Sequence, residues 1–194
     1  MSNISEPFPV GGAGIARELQ RILFSENQDD PPVNTYAVLD GAAIPDLLDQ
    51  LYGDDPPEFV CLYAGELEPD MAECAPYLVE LKPESPFTTW LLSEGWGKNW
   101  GIFALASEDI KALRKHFRTF LMVNDPDNEQ LYFRYYDPRV LRVYLPTCNA
   151  EETEIIFGPI ESYILEDEEL GMFVRFGGGQ VPPIGERIGL TLPR

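Results

Sequence analysis

The sequence predicts an α/β fold in which a mixed β-sheet is flanked by helices and followed by a C-terminal β-hairpin. Three observations support this prediction. Hydrophobic residues make up 44% of the 194 residues, which is enough to bury a sizeable core. From residue 35 onward, short apolar runs alternate with segments of helical periodicity, which is typical of a layered α/β architecture. The connections at 64–76 and 93–99 are too short for crossover helices, so antiparallel neighbours should occur beside parallel ones.

An N-terminal helix and loop are predicted over residues 1–34. The apolar side chains of this helix recur at the spacing of an amphipathic stripe: Ile15, Ala16, Leu19, Ile22 and Leu23. A polar stretch over 25–34 contains two adjacent prolines and should end the helix.

The central segment, residues 35–160, should form the α/β core. Apolar runs between turn residues predict strands at 36–39, 59–63, 77–81, 100–105 and 131–135. Helical periodicity and start signals predict helices at 43–51, 87–92, 107–122 and 138–145.

The C-terminal part changes character. A β-hairpin is predicted over 161–176, because apolar runs at 160–165 and 172–176 flank an acidic turn. The Gly/Pro-rich tail over 177–194 is not expected to form regular structure by itself.

The formal net charge of −19 limits the classes of partner. A uniformly acidic surface repels phosphate backbones and anionic lipid, which argues against nucleic-acid and membrane binding. It favours a basic partner, although acidity that only maintains solubility explains the charge equally well. The N-terminus lacks the basic and apolar regions of a signal peptide, and no apolar run approaches the ~20 residues of a membrane span. We therefore expect a cytoplasmic protein.

Residues suited to catalysis or to metal binding are scarce. The only histidine, His116, borders the apolar arc of the helix at 107–122, which is typical of a packed and hydrogen-bonded edge residue. The three cysteines form no CxxC pair and are expected to be reduced thiols packed as small hydrophobes. No GxSxG, Walker or HExxH pattern occurs. We expect no enzyme activity, no metal site and no cofactor.

Four basic residues follow one face of the helix at 107–122, for which Ser107 is the expected N-cap: Lys111, Arg114, Lys115 and Arg118. Their spacing places them within about a 100° arc, opposite the apolar Leu113 and Phe117, so they should be largely exposed. They either neutralise an acidic surface or form a docking patch for an acidic element of a partner.

The segment 131–142 adds three arginines to this basic zone. Arg134 alternates with aromatic residues on the predicted strand, whereas Arg139 and Arg142 follow the helix-start signal Asp137-Pro138. These arginines form either a recognition surface or structural Asp–Arg pairs with stacked rings. In the glycine-rich loop around residue 97, one tryptophan should be core and the other a contact residue, for which Trp96 is the candidate.

The order of several short motifs resembles the domain of unknown function 4123 over roughly residues 35–160. The motifs are 36–42 (YAVLDGA), 62–65 (LYAG), 75–81 (APYLVEL), 95–97 (GWG), 113–118 (LRKHFR), 135–141 (YYDPRVL) and 157–159 (FGP). Members of that family are adaptors, or effector chaperones, of the type VI secretion system. The resemblance implies binding to a cognate toxic effector and to the trimeric valine-glycine-repeat spike protein, without catalytic residues to carry over.

Two other functions stay open at the level of the sequence. A small, very acidic protein could be an immunity protein that neutralises a cognate toxin by shielding a basic active site. An enzyme of unfamiliar type would instead need clustered polar residues in a deep pocket.

Overall fold

The computed structural model describes residues 12–25, 32–124, 129–169 and 171–190. Residues 1–11 and 26–31 of the predicted N-terminal segment, and 191–194 of the predicted tail, lie outside the described residues. The α-helices are α1 (Gly12–Leu23), α2 (Leu47–Leu51), α3 (Pro69–Glu73), α4 (Pro86–Gly95), α5 (Ile110–Thr119), α6 (Pro138–Tyr144) and α7 (Ala150–Phe157). The strands are β1 (Asn34–Asp40), β2 (Phe59–Cys61), β3 (Pro76–Leu81), β4 (Gly101–Ala106), β5 (Met122–Asn124), β6 (Gln130–Tyr132), β7 (Ile160–Glu166), β8 (Met172–Gly177) and β9 (Gly185–Gly189). Short 3₁₀ helices occupy Gly41–Ala43 and Leu145–Thr147.

The described strands form a seven-stranded sheet in the order β2-β3-β1-β4-β7-β8-β9 and a separate hairpin of β5 and β6. The predicted mixture of strand directions is not found, because each of the described pairings is antiparallel. The chain crosses over from β1 to β2 through α2, and from β3 to β4 through α4. Each crossover joins two strands that run in the same direction but are not neighbours. An antiparallel strand lies between them, β3 in the first case and β1 in the second. Helical crossovers and a fully antiparallel sheet are therefore compatible.

Helices cover both faces of the seven-stranded sheet. On β1, Tyr36 and Val38 face the core formed with α5, α6 and α7. The alternate residues Ala37 and Leu39 face a second core formed with α1, α2 and α4. Because successive side chains of a strand point to opposite faces, a strand that is buried on both faces is apolar throughout. This three-layer arrangement explains why the predicted strands of the core are continuous apolar runs.

Side-chain caps fix the beginnings of four helices. Ser85, Asp109, Asp137 and Asn149 each accept a hydrogen bond from a backbone N–H in the first turn of α4, α5, α6 and α7, respectively. Such caps satisfy N–H groups that have no partner within the helix. At α7 the side chain of the third residue, Glu152, also accepts from the backbone N–H of Asn149, which completes a capping box.

The start of α5 differs from the prediction. Asp109 caps this helix by accepting from the N–H of Ala112 at 2.8 Å, so Ser107 is not the N-cap. The Ser107 hydroxyl instead donates to Glu161 on β7 at 2.6 Å. The helix therefore begins at Ile110, two residues later than an N-cap at Ser107 would place its start.

The fold class is confirmed: helices flank a β-sheet, and the predicted hairpin over 161–176 is present as the antiparallel pair β7 and β8. Two differences concern the C-terminal half and the connections. The predicted tail contributes β9, which pairs with β8 and so extends the hairpin to three strands. Helices α3 and α7 were not expected, although α3 lies in a connection that the sequence marks as short. Among the described helices, none has the length and apolarity to cross a bilayer.

Candidate partner-binding surface

Among the described strands, β2 forms one edge of the seven-stranded sheet, so one side of it, which we call its open side, has no strand partner. The N–H of Leu62 donates to Pro76 at 2.9 Å, and the N–H of Glu80 donates to Glu58 at 2.8 Å. These bonds show that residues 58, 60 and 62 direct their backbone hydrogen-bonding groups toward β3. In an antiparallel ladder the residues between them direct their N–H and C=O groups to the other side. The backbone groups of Phe59 and Cys61 therefore point away from the sheet.

A groove of about 690 Å³, which we call the edge groove, runs beside this open side. Its wall on one face of the sheet is aromatic: the rings of Tyr52 and Phe59 meet edge to face with centroids 5.1 Å apart, and Phe59 contacts Tyr77 at 6.1 Å. The wall on the other face comes from α5. In the described part of the chain, the charged residues that line the edge groove are Lys111 and Arg114.

A second groove of about 220 Å³, which we call the hairpin groove, adjoins the first. The two grooves share Tyr63 and Leu67. The ring of Tyr63 packs against the ring of Tyr132 on β6, with centroids 5.2 Å apart. Of the residues that the structure describes, Arg118 is the one charged residue in the lining of the hairpin groove. Its rim exposes the apolar side chains of Met71 and Met122.

The predicted basic face of α5 is thus divided by the structure. Leu113 and Phe117 are buried, as predicted, and Lys111 and Lys115 are exposed. Arg114 and Arg118 are only half-exposed, so the expectation that all four basic residues are largely exposed is wrong for these two.

The position of β2 explains the burial of Arg114. Its Nε donates to the carbonyl of Cys61 at 2.9 Å, and its second terminal nitrogen donates to the carbonyl of Tyr63 at 3.4 Å. Arg114 therefore satisfies one of the outward carbonyls of the edge strand and still lines the edge groove. Since a guanidinium has five N–H donors, these two bonds leave it able to bind a further acceptor.

A cluster of arginines and aspartates lies where β1 ends and α6 begins. Arg134 forms an ion pair with Asp40, a buried residue whose carboxylate also caps the 3₁₀ helix at Ala42. Arg139 binds Asp137 through two parallel bonds of 2.9 and 2.7 Å. The structural Asp–Arg pairs that the sequence left open are therefore present.

In this cluster the aspartates are buried, whereas Arg134 and Arg139 are exposed. Burial tends to raise the pKa of Asp137, but the hydrogen bonds and charge of Arg139, together with Arg134, hold that pKa below its ordinary value. The side chains of Arg134 and Arg139 keep 51% and 62% of their surface exposed, so both remain accessible to a partner.

Arg142 and Trp96 lie apart from both grooves, around Glu166. The side chain of Arg142 is only 13% exposed and donates to the carbonyl of Glu166 and, at 3.1 Å, to the carboxylate of Glu168. Trp96 is half-buried against the α4 side of the sheet and lines a small cavity with Glu166. The guanidinium of Arg142 is therefore committed to the fold, while Trp96 is partly accessible.

The single histidine and two of the three cysteines pack into the fold. The ring of His116 is half-buried and contacts the carbonyl of Ile156 at 3.2 Å through Nε2, and burial lowers the pKa of His116 below its ordinary value. This agrees with the predicted edge residue. The cysteines are free; Cys148 is buried and Cys61 half-buried, whereas Cys74 is exposed, contrary to expectation. In the part of the chain that the structure describes, no group of three His, Cys, Asp or Glu residues could hold a metal ion.

The sequence did not identify the aromatic wall of the edge groove. Tyr52 directly follows α2, whereas Phe59 lies on β2 and Tyr77 on β3, and each residue alone is an ordinary apolar position. The one available signal is the turn 53–57, rich in Asp and Pro, which precedes β2 and suits an edge position.

A family model described as Domain of unknown function (DUF4123) matches residues 35–154. No curated protein and no solved structure has a significant match to the chain. The match begins at the second residue of β1 and ends within α7, so it includes the described lining residues of both grooves.

Proposed function

Because the chain belongs to the DUF4123 family, we propose that it is a cytoplasmic adaptor of a type VI secretion system, which binds an effector and delivers it to the trimeric valine-glycine-repeat spike protein. Adaptors are the role associated with this family. The proposal concerns binding alone and assigns no reaction to the protein.

The observation that carries the proposal is the pair of adjoining grooves beside the open edge of β2. A monomeric protein rarely exposes concentrated apolar side chains without an interaction to cover them. Here, exposed apolar side chains surround both grooves: Tyr52, Met71, Met122 and Tyr132. The combination of tyrosine rings with the arginines Arg114 and Arg118 is typical of protein-binding surfaces.

The alternative of an immunity protein is supported by the net charge of −19, which suits a basic toxin surface. The grooves do not add to that support, because the charged residues that line them in the described part of the chain are basic. A toxin with a basic active site would have to bind elsewhere on the molecule.

The deciding experiment deletes the gene in its native bacterium. For an adaptor, the effector is no longer secreted, the spike is still secreted, and the cells do not become sensitive to their own toxin. Affinity purification of the tagged protein should recover both the effector and the spike. Toxin sensitivity of the deletion strain, or rescue from the toxin by this protein in a cell without a secretion system, would overturn the adaptor proposal.

A further inference from the structure

We propose that β2 takes up an extended segment of the partner protein as an eighth strand of the sheet, and that this segment alternates acidic and apolar side chains. The inference deepens the proposed adaptor function and rests on it for the identity of the partner as an effector. Its physical basis is the backbone, the side chains and the charge of the edge groove.

The backbone provides the hydrogen bonds for such a strand. The outward N–H and C=O groups of Phe59 and the outward N–H of Cys61 have no backbone partner among the described residues. An added strand would satisfy these groups, which is the usual source of affinity in strand addition. The ladder between β2 and β3 extends from residue 58 to residue 62, which is long enough to define a register.

The two walls of the edge groove define which side chains the segment should carry. Side chains of a β-strand point alternately to the two faces of its sheet. On one face an added strand would meet Lys111 and Arg114 of α5. On the other face it would meet the rings of Tyr52 and Phe59. Acidic residues therefore suit one set of alternate positions, and apolar residues suit the other.

The charge of the groove is opposite to that of the protein as a whole. The chain has 33 acidic and 14 basic residues. Yet the described residues that line the edge groove and the hairpin groove include three basic residues and no acidic one: Lys111, Arg114 and Arg118. An acidic segment that is repelled elsewhere on the surface would be attracted to this position.

The opposite edge of the sheet makes a useful comparison. The strand β9 places Glu186 and Arg187 on its edge, and Arg187 pairs with Asp167. Charged side chains on an edge strand are a common protection against pairing with other chains. The strand β2, with the sequence Phe-Val-Cys, has no such protection within the strand.

The test uses synthetic ten-residue peptides in which Val alternates with Glu, or with Lys as the control for charge. The Val/Glu peptide should bind, measured by fluorescence anisotropy, and should shift the backbone amide signals of Phe59 and Cys61 in NMR spectra of the protein. The Val/Lys peptide should not bind. Methylation of the peptide nitrogens on one edge of the strand should abolish binding, whereas methylation on the other edge should not.

Two charge-reversal variants on α5 test whether the acidic side chains of the segment face Lys111. Lys111→Glu should weaken binding of the Val/Glu peptide about tenfold, since it replaces an attraction with a repulsion. Lys115→Glu is the matched control: it makes the same change on the same helix, at an exposed residue outside the groove lining, and should change the affinity less than about twofold.

Three results would overturn strand addition: equal binding of both peptides, binding that is indifferent to methylation on either edge, or effector binding that leaves the amides of Phe59 and Cys61 unshifted. Shifts of these amides on concentrating the protein alone would assign the edge to a second copy of the chain and likewise refute the proposal. If the effector and spike copurify but strand addition fails, the adaptor function stands. If peptides pair with β2 but no effector or spike is bound, the adaptor function fails alone.

Discussion

Replacing Glu166 with Gln should make the stability of the fold less dependent on pH. Glu166 lies on β7, is 6% exposed, and accepts backbone N–H bonds from Gly97 at 3.0 Å and Asn99 at 3.2 Å, both on Oε2. Burial raises its pKa from 4.5 to about 7, although these two bonds and the charge of Arg142 oppose the rise. Because both amides donate to one oxygen, the amide oxygen of Gln can accept both bonds without a charge.

The sign of the effect follows from the raised pKa. The folded state holds the proton more tightly than the unfolded state, so the stabilisation is complete below pH 4.5 and is lost as the pH rises through about 7. The difference between 4.5 and about 7 corresponds to about 3 kcal/mol, at about 1.4 kcal/mol per pKa unit. Above pH 7, Glu166→Gln should therefore be more stable than the parent protein by up to about 3 kcal/mol, and this advantage should disappear near pH 4.5.

The measurement is urea unfolding of both proteins at pH values from about 4 to 8, which spans the range from 4.5 to about 7, with Glu186→Gln as the control. Glu186 is an exposed glutamate on β9, so its replacement removes the same charge from the surface. A stability difference between Glu166→Gln and the parent that stays constant over the whole pH range would refute the reasoning. So would an equal pH dependence in the Glu186→Gln control.

Three further predictions concern other contacts. Arg142→Ala should lower the free energy of unfolding by about 2 kcal/mol, because it removes a charge-assisted bond to the carbonyl of Glu166. The affinity of the folded protein for its partner should not change, and a fully stable variant that no longer binds would contradict this. Asn149→Ala should cost about 1 kcal/mol in urea unfolding through loss of the α7 cap, and an unchanged unfolding midpoint would argue against the capping box. In an NMR titration His116 should have its midpoint below 6.5, because burial disfavours the imidazolium, so its contribution to stability is lost as the pH falls below 6.5; a midpoint at or above 6.5 would exclude a packed neutral ring.

Much of the fold could be predicted from the sequence because its strongest signals are local. The apolar run of β4 is buried on both faces, and the opposed arcs of α5 place Leu113 in the core, as their spacing indicates. Strand β9 could not be predicted in this way. Its residues, Gly185–Gly189, have no apolar pattern of their own, and their extended conformation depends on pairing with β8. Helix α7 did have a local signal, the capping box of Asn149 and Glu152, which the apolar pattern alone does not show.

The candidate surface was predicted in part. The basic face of α5 was found, but periodicity could not separate Arg114 from Lys111, because the difference depends on where the carbonyl of Cys61 lies in three dimensions. The same limit applies to Arg142 and Arg139, which the sequence grouped together. In the structure the side chain of Arg142 is largely buried, whereas that of Arg139 is exposed. The accessible backbone of β2 has no residue signature, since it follows from the order of strands in the sheet.

The order of strands also has a consequence for how the protein can be divided. The family match ends at residue 154, but β7 pairs with β4 and connects β8 and β9 to the centre of the sheet. A fragment cut at residue 154 would lack β7, so β4 would change from an interior strand into a second open edge. Phe103 and Leu105, which lie on β4 opposite β7, would then have no neighbouring strand on that side. Long, apolar, unpaired edges promote aggregation. Expressed fragments, deletion series and domain fusions should therefore retain residues to at least 177, so that β7 stays beside β4 and β8 stays paired with β7.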